Sequence, residues 1–410
     1  MKRFVLLGGF LFTFLSVTAQ KELASNYRAY LVRQDGNTVV FTIEVQKEEG
    51  ETVLYIINAD ERIKISPVTI TKDSVNFSMP VFESSFASKR NPDGTLEGIW
   101  TKGTSKDFQH WNFFADPHLP YRFEKNRGPA NNNISGKWDV TITKANGTPR
   151  KAVAEFEQDD DKLMGSFITP TGDYRYLDGI VTGDSLMLST FDGAHAYTFY
   201  ANIKNAENIS GGVFLSGYDG KETWTAVKNE NVKEPAQESP TRLKKGEGKL
   251  NFTFNDLDGK PVSINDQRFK NKVVVVQLMG SWCPNCMDET KFLSEFYDAY
   301  RSKGVEIVSL AYEYSTDRER SVKSLRKFQK LFNVQYPMLI TGVTAGDEQK
   351  TEKTLPQITP IQSFPTSIFL DRKGNVRDIH PVFYGPGTKK YFEVYKKVFT
   401  EIVDDLLKEK

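Results

Sequence analysis

Two cysteines, Cys283 and Cys286, are the only ones in 410 residues, and they stand in the order Cys-Pro-Asn-Cys. A zinc ion takes four ligands, so this pair cannot hold one by itself. A structural disulfide across so short a loop would constrain little of the unfolded chain. Two thiols at this spacing can instead attack and release a foreign disulfide, cycling between dithiol and disulfide. The stretch before them supports that chemistry. Val273–Val276, Gln277 and Leu278 read as a strand buried on both faces. Gly280 and Ser281 turn the chain, and a helix opens at Pro284, where the missing N–H costs nothing. Cys283 then occupies the helix N-cap, where free N–H groups and partial positive charge favour a thiolate.

The residues that follow predict the elements needed to hold such a site over 250–410. Phe252–Phe254 reads as a short strand, and Asp258-Gly259-Lys260 as a hairpin turn. The active helix runs from Pro284 to about Arg301, and Val305–Ala311 is a second buried strand. Thr316-Asp-Arg-Glu319 has the form of a capping box opening a helix to about Phe332. Tyr336–Ile340 is a strand, and 342–363 a polar insertion. Thr366–Leu370 and Val376–His380 form a strand pair joined by Asp371-Arg-Lys-Gly374, and a last helix spans about Lys389 to Lys408. Alternating β and α of this kind predicts a central sheet with helices on both faces.

The first 240 residues read differently. Tyr27–Val32 matches Trp138–Thr143, Asp73–Phe77 matches Asp184–Leu188, Trp100 matches Phe214 and Trp111 matches Trp224, at offsets of 111, 111, 114 and 113. A near-constant offset argues for an internal duplication. Within each copy short alternating runs are separated by turns such as Asn146-Gly147, the pattern of antiparallel meanders that close or nearly close into barrels. We therefore expect β-barrel-like repeats at 20–120 and 133–230, a polar Pro-containing linker at 231–249, and a redox domain at 250–410. Few contacts are expected across the linker, which would leave the redox domain independent. His110, His118 and His195 have no metal-ligand spacing, and Asp159-Asp160-Asp161 lacks the downstream Glu of an EF-hand loop.

Hydrophobic residues at 39% and aromatics at 12% are enough for packed cores, while a net charge of +1 provides no field to recruit nucleic acid. Lys2 and Arg3, the apolar run Phe4–Leu15 and the small residues ending at Ala19 read as an export signal, residues 1–19. The run is too short to span a bilayer, which takes about 20 residues, so no stable membrane insertion is expected after its removal. The expected location is the periplasm, where a reducing dithiol needs a constant supply of electrons.

Trp282-Cys283-Pro284-Asn285-Cys286, Phe364-Pro365-Thr366 and Asp371-Arg-Lys-Gly374 together resemble the TlpA/ResA-like branch of the thioredoxin superfamily over about 250–410. The whole layout is similar to secreted TlpA-like proteins of the Bacteroidetes type. The resemblance implies a thioredoxin-like α/β fold, preceded here by an all-β, duplicated barrel-like region. It implies that Cys283 attacks and Cys286 resolves, that Trp282 shields the dithiol, and that Pro365 is the cis-proline whose neighbour Phe364 offers main-chain groups to a substrate strand. Thioredoxin itself carries a buried Asp six residues before the first cysteine, where this chain has Gln277. The branch instead places an acid three residues after the second cysteine, and Glu289 stands there. Glu289 is then either the proton acceptor for Cys286 or a solvated first-turn residue favoured by the helix dipole.

The leading expectation is a periplasmic reductant of protein disulfides, with no cofactor and no metal, supplied by a membrane electron donor. One alternative is a ligand- or partner-binding β protein with an accessory redox domain. The other is a peroxiredoxin-like peroxidase, which would need a Thr-x-x-Cys site that Met279-Gly-Ser-Trp-Cys283 does not supply.

Overall fold

The computed structural model describes residues 22–123 and 128–409; the expected export signal lies outside the described residues. The first copy of the repeat comprises β1 (Asn26–Val32), β2 (Thr38–Glu48), β3 (Glu51–Asn58), β4 (Glu61–Ile65), β5 (Val68–Ile70), β6 (Ser74–Ser78), β7 (Ser84–Arg90), β8 (Leu96–Gly103) and β9 (Phe108–Asp116). The second comprises β10 (Gly136–Thr143), β11 (Pro149–Asp159), β12 (Lys162–Thr169), β13 (Gly172–Asp173), β14 (Leu177–Thr182), β15 (Ser185–Phe191), β16 (Ala196–Asn205), β17 (Asn208–Ser216) and β18 (Gly220–Lys228). Their first residues follow those of the first copy by 110, 111, 111, 111, 109, 111, 112, 112 and 112 positions. The repeat therefore extends over every strand, including ones too short to show in the sequence.

Both sheets are antiparallel meanders. Alternation decides which side of each strand faces in: along β1, Tyr27, Ala29 and Leu31 are buried and the residues between them are not. The second sheet closes on itself, because β12 pairs with β11, β13 and β14. The first ends at β4 and β5, which no ladder joins. Trp100, Trp111 and Phe113 fill the first barrel, and Trp138, Phe199 and Trp224 the second. The barrels abut: Phe191 of the second stacks on Phe41 of the first at 4.5 Å, and Arg122 reaches Ile57 O, Asp178 and Ser189.

The C-terminal sheet has the order β20-β19-β23-β22-β21-β24-β25, with β19 (Thr253–Asp256), β20 (Pro261–Ser263), β21 (Val273–Met279), β22 (Val305–Ala311), β23 (Met338–Ile340), β24 (Thr366–Leu370) and β25 (Val376–His380). Strands β21 and β22 are buried at every position, as their apolar runs require. The helices are α1 (Pro284–Tyr300), α2 (Arg318–Leu331), α3 (Lys350–Thr354) and α4 (Lys390–Lys408).

Five expectations need correction. Helices do not cover both faces equally. Strands β21, β22 and β23 step in one direction with parallel pairing, so right-handed crossovers put α1 and α2 on the same face. Leu293, Phe296, Leu325, Phe328, Phe399 and Val403 of α1, α2 and α4 share one core with Val273 and Val275. The other face is covered by the short α3 and by irregular chain, so the insertion 342–363 is not simply polar: it buries Leu355, Ile358 and Ile361 against Val274, Val276 and Leu278. The cap of α2 is Asp317, whose carboxylate accepts from Glu319 N and Arg320 N, rather than Thr316.

The linker, finally, is not a free tether. Leu243 bridges to Ile358 and Lys249 to Asn375, Thr241 Oγ1 donates to Pro360 O at 3.0 Å, and Gln237 Nε2 reaches Ser363. Nor is the redox domain independent of the β region. Arg320 binds Glu83 at 2.6 Å, Lys389 binds Glu157 at 2.5 Å, and Lys137 donates to the Tyr391 hydroxyl at 2.9 Å.

Candidate active site

Both cysteines are unpaired, and they lie where the parallel strand β21 delivers the chain to the N-terminus of α1. Cys283 is the N-cap of that helix. Its Sγ accepts from Cys286 N at 3.2 Å, a contact that stabilises a thiolate. It also donates to Phe364 O at 3.5 Å, across from the cis Phe364–Pro365 bond. Cys283 is 6% exposed and Cys286 fully buried. Burial first, then the hydrogen bond and charge of Cys283, push the Cys286 thiol well above its ordinary range, and the charge of Glu289 adds to this.

Trp282 packs edge-on against Phe364 with ring centroids 5.9 Å apart, stacks on Tyr314 at 4.9 Å, and donates its indole N–H to Tyr312 O at 2.8 Å. The structure thus brings Trp282, Cys283, Cys286, Phe364 and Pro365 together. Glu289 lies in the same site but not on its surface: it is 1% exposed. Its carboxylate accepts from Tyr395 Oη at 2.6 Å, Gln277 Nε2 at 2.8 Å and Ser367 Oγ at 2.9 Å. Burial pushes this carboxyl above the usual carboxylate range, against those three bonds, which favour the charged form. The solvated alternative for Glu289 is therefore excluded. Gln277 holds Glu289 from the central strand, and Ser309 Oγ holds Gln277 Oε1 in turn at 2.7 Å.

Sequence reasoning missed three groups. Glu313, just beyond β22, accepts from Ser281 N at 2.8 Å and Ser281 Oγ at 2.5 Å, which fixes the turn leading into Trp282 and Cys283. Its burial pushes its carboxyl up to about 7. Asn285, inside the motif, donates from Nδ2 to Asp173 O of the β region at 3.3 Å. Arg175, also from the β region, makes a two-pronged contact with Asp288, two residues after Cys286, at 2.8 and 3.0 Å. Glu313 and Arg175 stand in no local pattern that marks them, and the motif around Asn285 does not show its contact with the β region. Among the described residues no group of three or more His, Cys, Asp or Glu side chains is placed to hold a metal ion, and no helix is long and apolar enough to cross a membrane.

An α/β sheet with a Cys-x-x-Cys helix start facing a cis-proline is an arrangement that can carry out thiol–disulfide exchange. A family model described as Redoxin matches residues 244–394. Thiol-disulfide oxidoreductase ResA of Bacillus thuringiensis subsp. konkukian is 31% identical over 160 residues, 39% of this chain and 80% of that protein. Thioredoxin-like protein YneN of Bacillus subtilis is 27% identical over 183 residues, 44% of this chain and 90% of its own. A solved thiol:disulfide interchange protein of the thioredoxin family from Chlorobium tepidum is 23% identical, over 42% of this chain and 99% of that one, with a TM-score of 0.28. The chain belongs to the ResA-like thiol–disulfide oxidoreductases of the thioredoxin superfamily, and it is a thiol–disulfide oxidoreductase. The residues matched by the Redoxin model lie beyond both barrels.

Proposed function

We propose that this protein reduces disulfides in other proteins of the periplasm through Cys283 and Cys286. The observation that carries the proposal is Cys283 Sγ at a helix N-cap, 3.2 Å from Cys286 N and 3.5 Å from the carbonyl that precedes the cis-proline. The Cys283 thiolate attacks one sulfur of the substrate disulfide. That S–S bond breaks, the far sulfur leaves as a thiolate, and Cys283 is joined to the substrate. This step removes the Cys283 charge and hydrogen bond, two of the causes that hold the Cys286 thiol protonated. Cys286 then gives up its proton to the Glu289 carboxylate, attacks Cys283 Sγ and expels the second substrate thiolate. Two electrons have passed to the substrate, and the enzyme holds a Cys283–Cys286 disulfide. Trp282 and the Phe364 main chain line the approach of the substrate strand.

Residues 1–19 have the composition of an export signal, which supports the periplasmic location. The oxidised enzyme there requires electrons from outside the compartment, and a membrane donor supplies them in this reading. Insulin reduction tests the roles of the two thiols. Cys283→Ser should abolish it, and Cys286→Ser should accumulate a mixed disulfide through Cys283, seen by mass spectrometry. A mixed disulfide trapped on Cys286 in the Cys283→Ser protein, with none trapped on Cys283 in the Cys286→Ser protein, would reverse the assignment.

A further inference from the structure

The dithiol is covered, and the cover comes from the β region. The turn between β12 and β13 seats on the motif itself. Gly172 holds a backbone φ of +135° that other residues rarely adopt, and a Cβ there would lie 2.5 Å from Asn285 Nδ2. Next to it Asp173 O accepts the Asn285 amide at 3.3 Å. Val81 and Phe82, between β6 and β7, and Ala194, at the equivalent place between β15 and β16, join the same apolar cluster as Cys283 and Cys286.

One residue fastens this cover. Arg175 holds a left-handed backbone (φ 55°), a conformation uncommon outside glycine. Its guanidinium grips Asp288 of α1, Glu61 at 2.6 Å and Asp192 at 3.2 Å, all buried or nearly so. Gly387 packs onto its backbone, where a Cβ would lie 2.6 Å from Arg175 C. Glu61 opens β4 and Gly172 opens β13, so the duplication brings the same turn of both copies to one spot. One copy supplies an acid, the other the arginine.

The rest of the seam combines polar ties, Arg320 to Glu83, Lys389 to Glu157 and Asp60, Lys137 to Tyr391, and Lys327 Nζ to Phe82 O, with a small apolar contact of Tyr391 on Val153 and Ile168. An intrachain interface that is not large and hydrophobic leaves relative motion of its two sides as the expectation, and the apolar part of this seam is small. Asn285 Oδ1 is buried with no hydrogen-bond partner among the described residues. A polypeptide strand offers both C=O and N–H, and so can serve both atoms of the Asn285 amide where the turn serves one. At 6% exposure Cys283 leaves no room for such a strand.

We propose that the β region is a cap over the dithiol, that protein substrates reach Cys283 only when the turn Thr169–Arg175 lifts from Asn285, and that the Arg175–Asp288 contact is its latch. Arg175 is thus a gating residue: it sets how readily a disulfide-bearing segment displaces the cap.

The test uses the full-length reduced protein and two maleimides of different bulk, N-ethylmaleimide and a polyethylene-glycol maleimide, with mass spectrometry to locate the adduct on Cys283. The shared chemistry cancels the thiolate fraction, so the ratio of rates reports access alone. In the wild type the bulky reagent should react at a rate that levels off with concentration, limited by opening. Arg175→Ala should raise its rate relative to N-ethylmaleimide at least tenfold. Asp288→Ala should do the same, and the double variant should gain no more than either single one. The wild-type concentration dependence decides the question even if the variants fold poorly. Rates that stay linear and match those of a free peptide thiol would overturn the cap. So would an unchanged ratio in folded Arg175→Ala, or gains from Arg175→Ala and Asp288→Ala that multiply. If Cys283→Ser still reduces insulin while the access pattern holds, the role given to Cys283 fails and the cap stands.

Discussion

Replacing Glu289 by Gln keeps the shape of the side chain and removes both its charge and its capacity to take a proton. The carboxylate accepts from Tyr395 and Ser367 on Oε1 and from Gln277 on Oε2. A glutamine oxygen can keep the first two donors. Its amide then faces the Gln277 amide, donor to donor, and one buried donor is left unmet at a cost of about 1–3 kcal/mol. Stability should therefore fall by that amount, although the sequence position alone suggests little change. The pH dependence carries a sign. Burial raises the folded-state pKa of Glu289, so its contribution is complete below about pH 4.5 and is lost as pH rises through the raised value. The Gln variant lacks that loss, and its deficit should shrink as pH increases. In kinetics, losing a positioned base slows proton transfer by about 10²–10⁴-fold. Stopped-flow reaction with a disulfide peptide should show attack by Cys283 unchanged and resolution by Cys286 slowed by at least about 100-fold, with the mixed disulfide accumulating. Resolution at the wild-type rate across pH 6–8, in a folded variant, would refute the role of Glu289 as proton acceptor.

Other outcomes follow from the same geometry. Glu313 has its carboxyl pushed up to about 7 by burial, so it supplies stability present below about pH 4.5 and lost between there and about pH 7, at most about 3 kcal/mol at 1.36 kcal/mol per unit; thermal unfolding of Glu313→Gln from pH 4 to 8 should lack that portion of the fall, and a fall equal to the wild type's would refute it. The motif dipeptide Pro284-Asn285 brings no cation beside Cys283, so equilibration with glutathione should give a potential nearer about −270 mV than about −120 mV; a value above about −150 mV would contradict this. A fragment starting at residue 245 loses the bridge between Leu243 and Ile358, so one starting at 231 should melt higher. If the β region is a cap, that longer fragment should reduce insulin faster than the full chain, and a slower rate in a folded fragment would show that the β region completes the site.

Much of the catalytic core is legible in the amino-acid sequence because its signals are local. Four valines in a row can only be buried on both faces, and Pro284 after Cys283 starts a helix wherever the strand ends. The strands Val305–Ala311 and Thr366–Leu370 have the bounds their apolar runs suggest, and Val376–His380 the bounds expected for the partner strand after the turn at Asp371–Gly374. The duplication is legible because a constant offset survives even where individual residues diverge. Which face of the sheet receives α2 is not local: it follows from the direction in which the strands step, and only the pairing of β22 with β23 reveals that. Glu289 could be placed one turn after Cys286 but not assigned to the core, because its partners Tyr395 and Ser367 arrive from 106 and 78 residues away. Arg175 and Asp288 are 113 residues apart, each unremarkable in its own segment. A polar linker reads as a loose tether, since composition reports the solubility of a segment and says nothing of the ladder its backbone joins. Contacts between distant segments depend on how whole domains dock. Residue spacing therefore decided where the thiols stand, and only the tertiary structure decided what covers them.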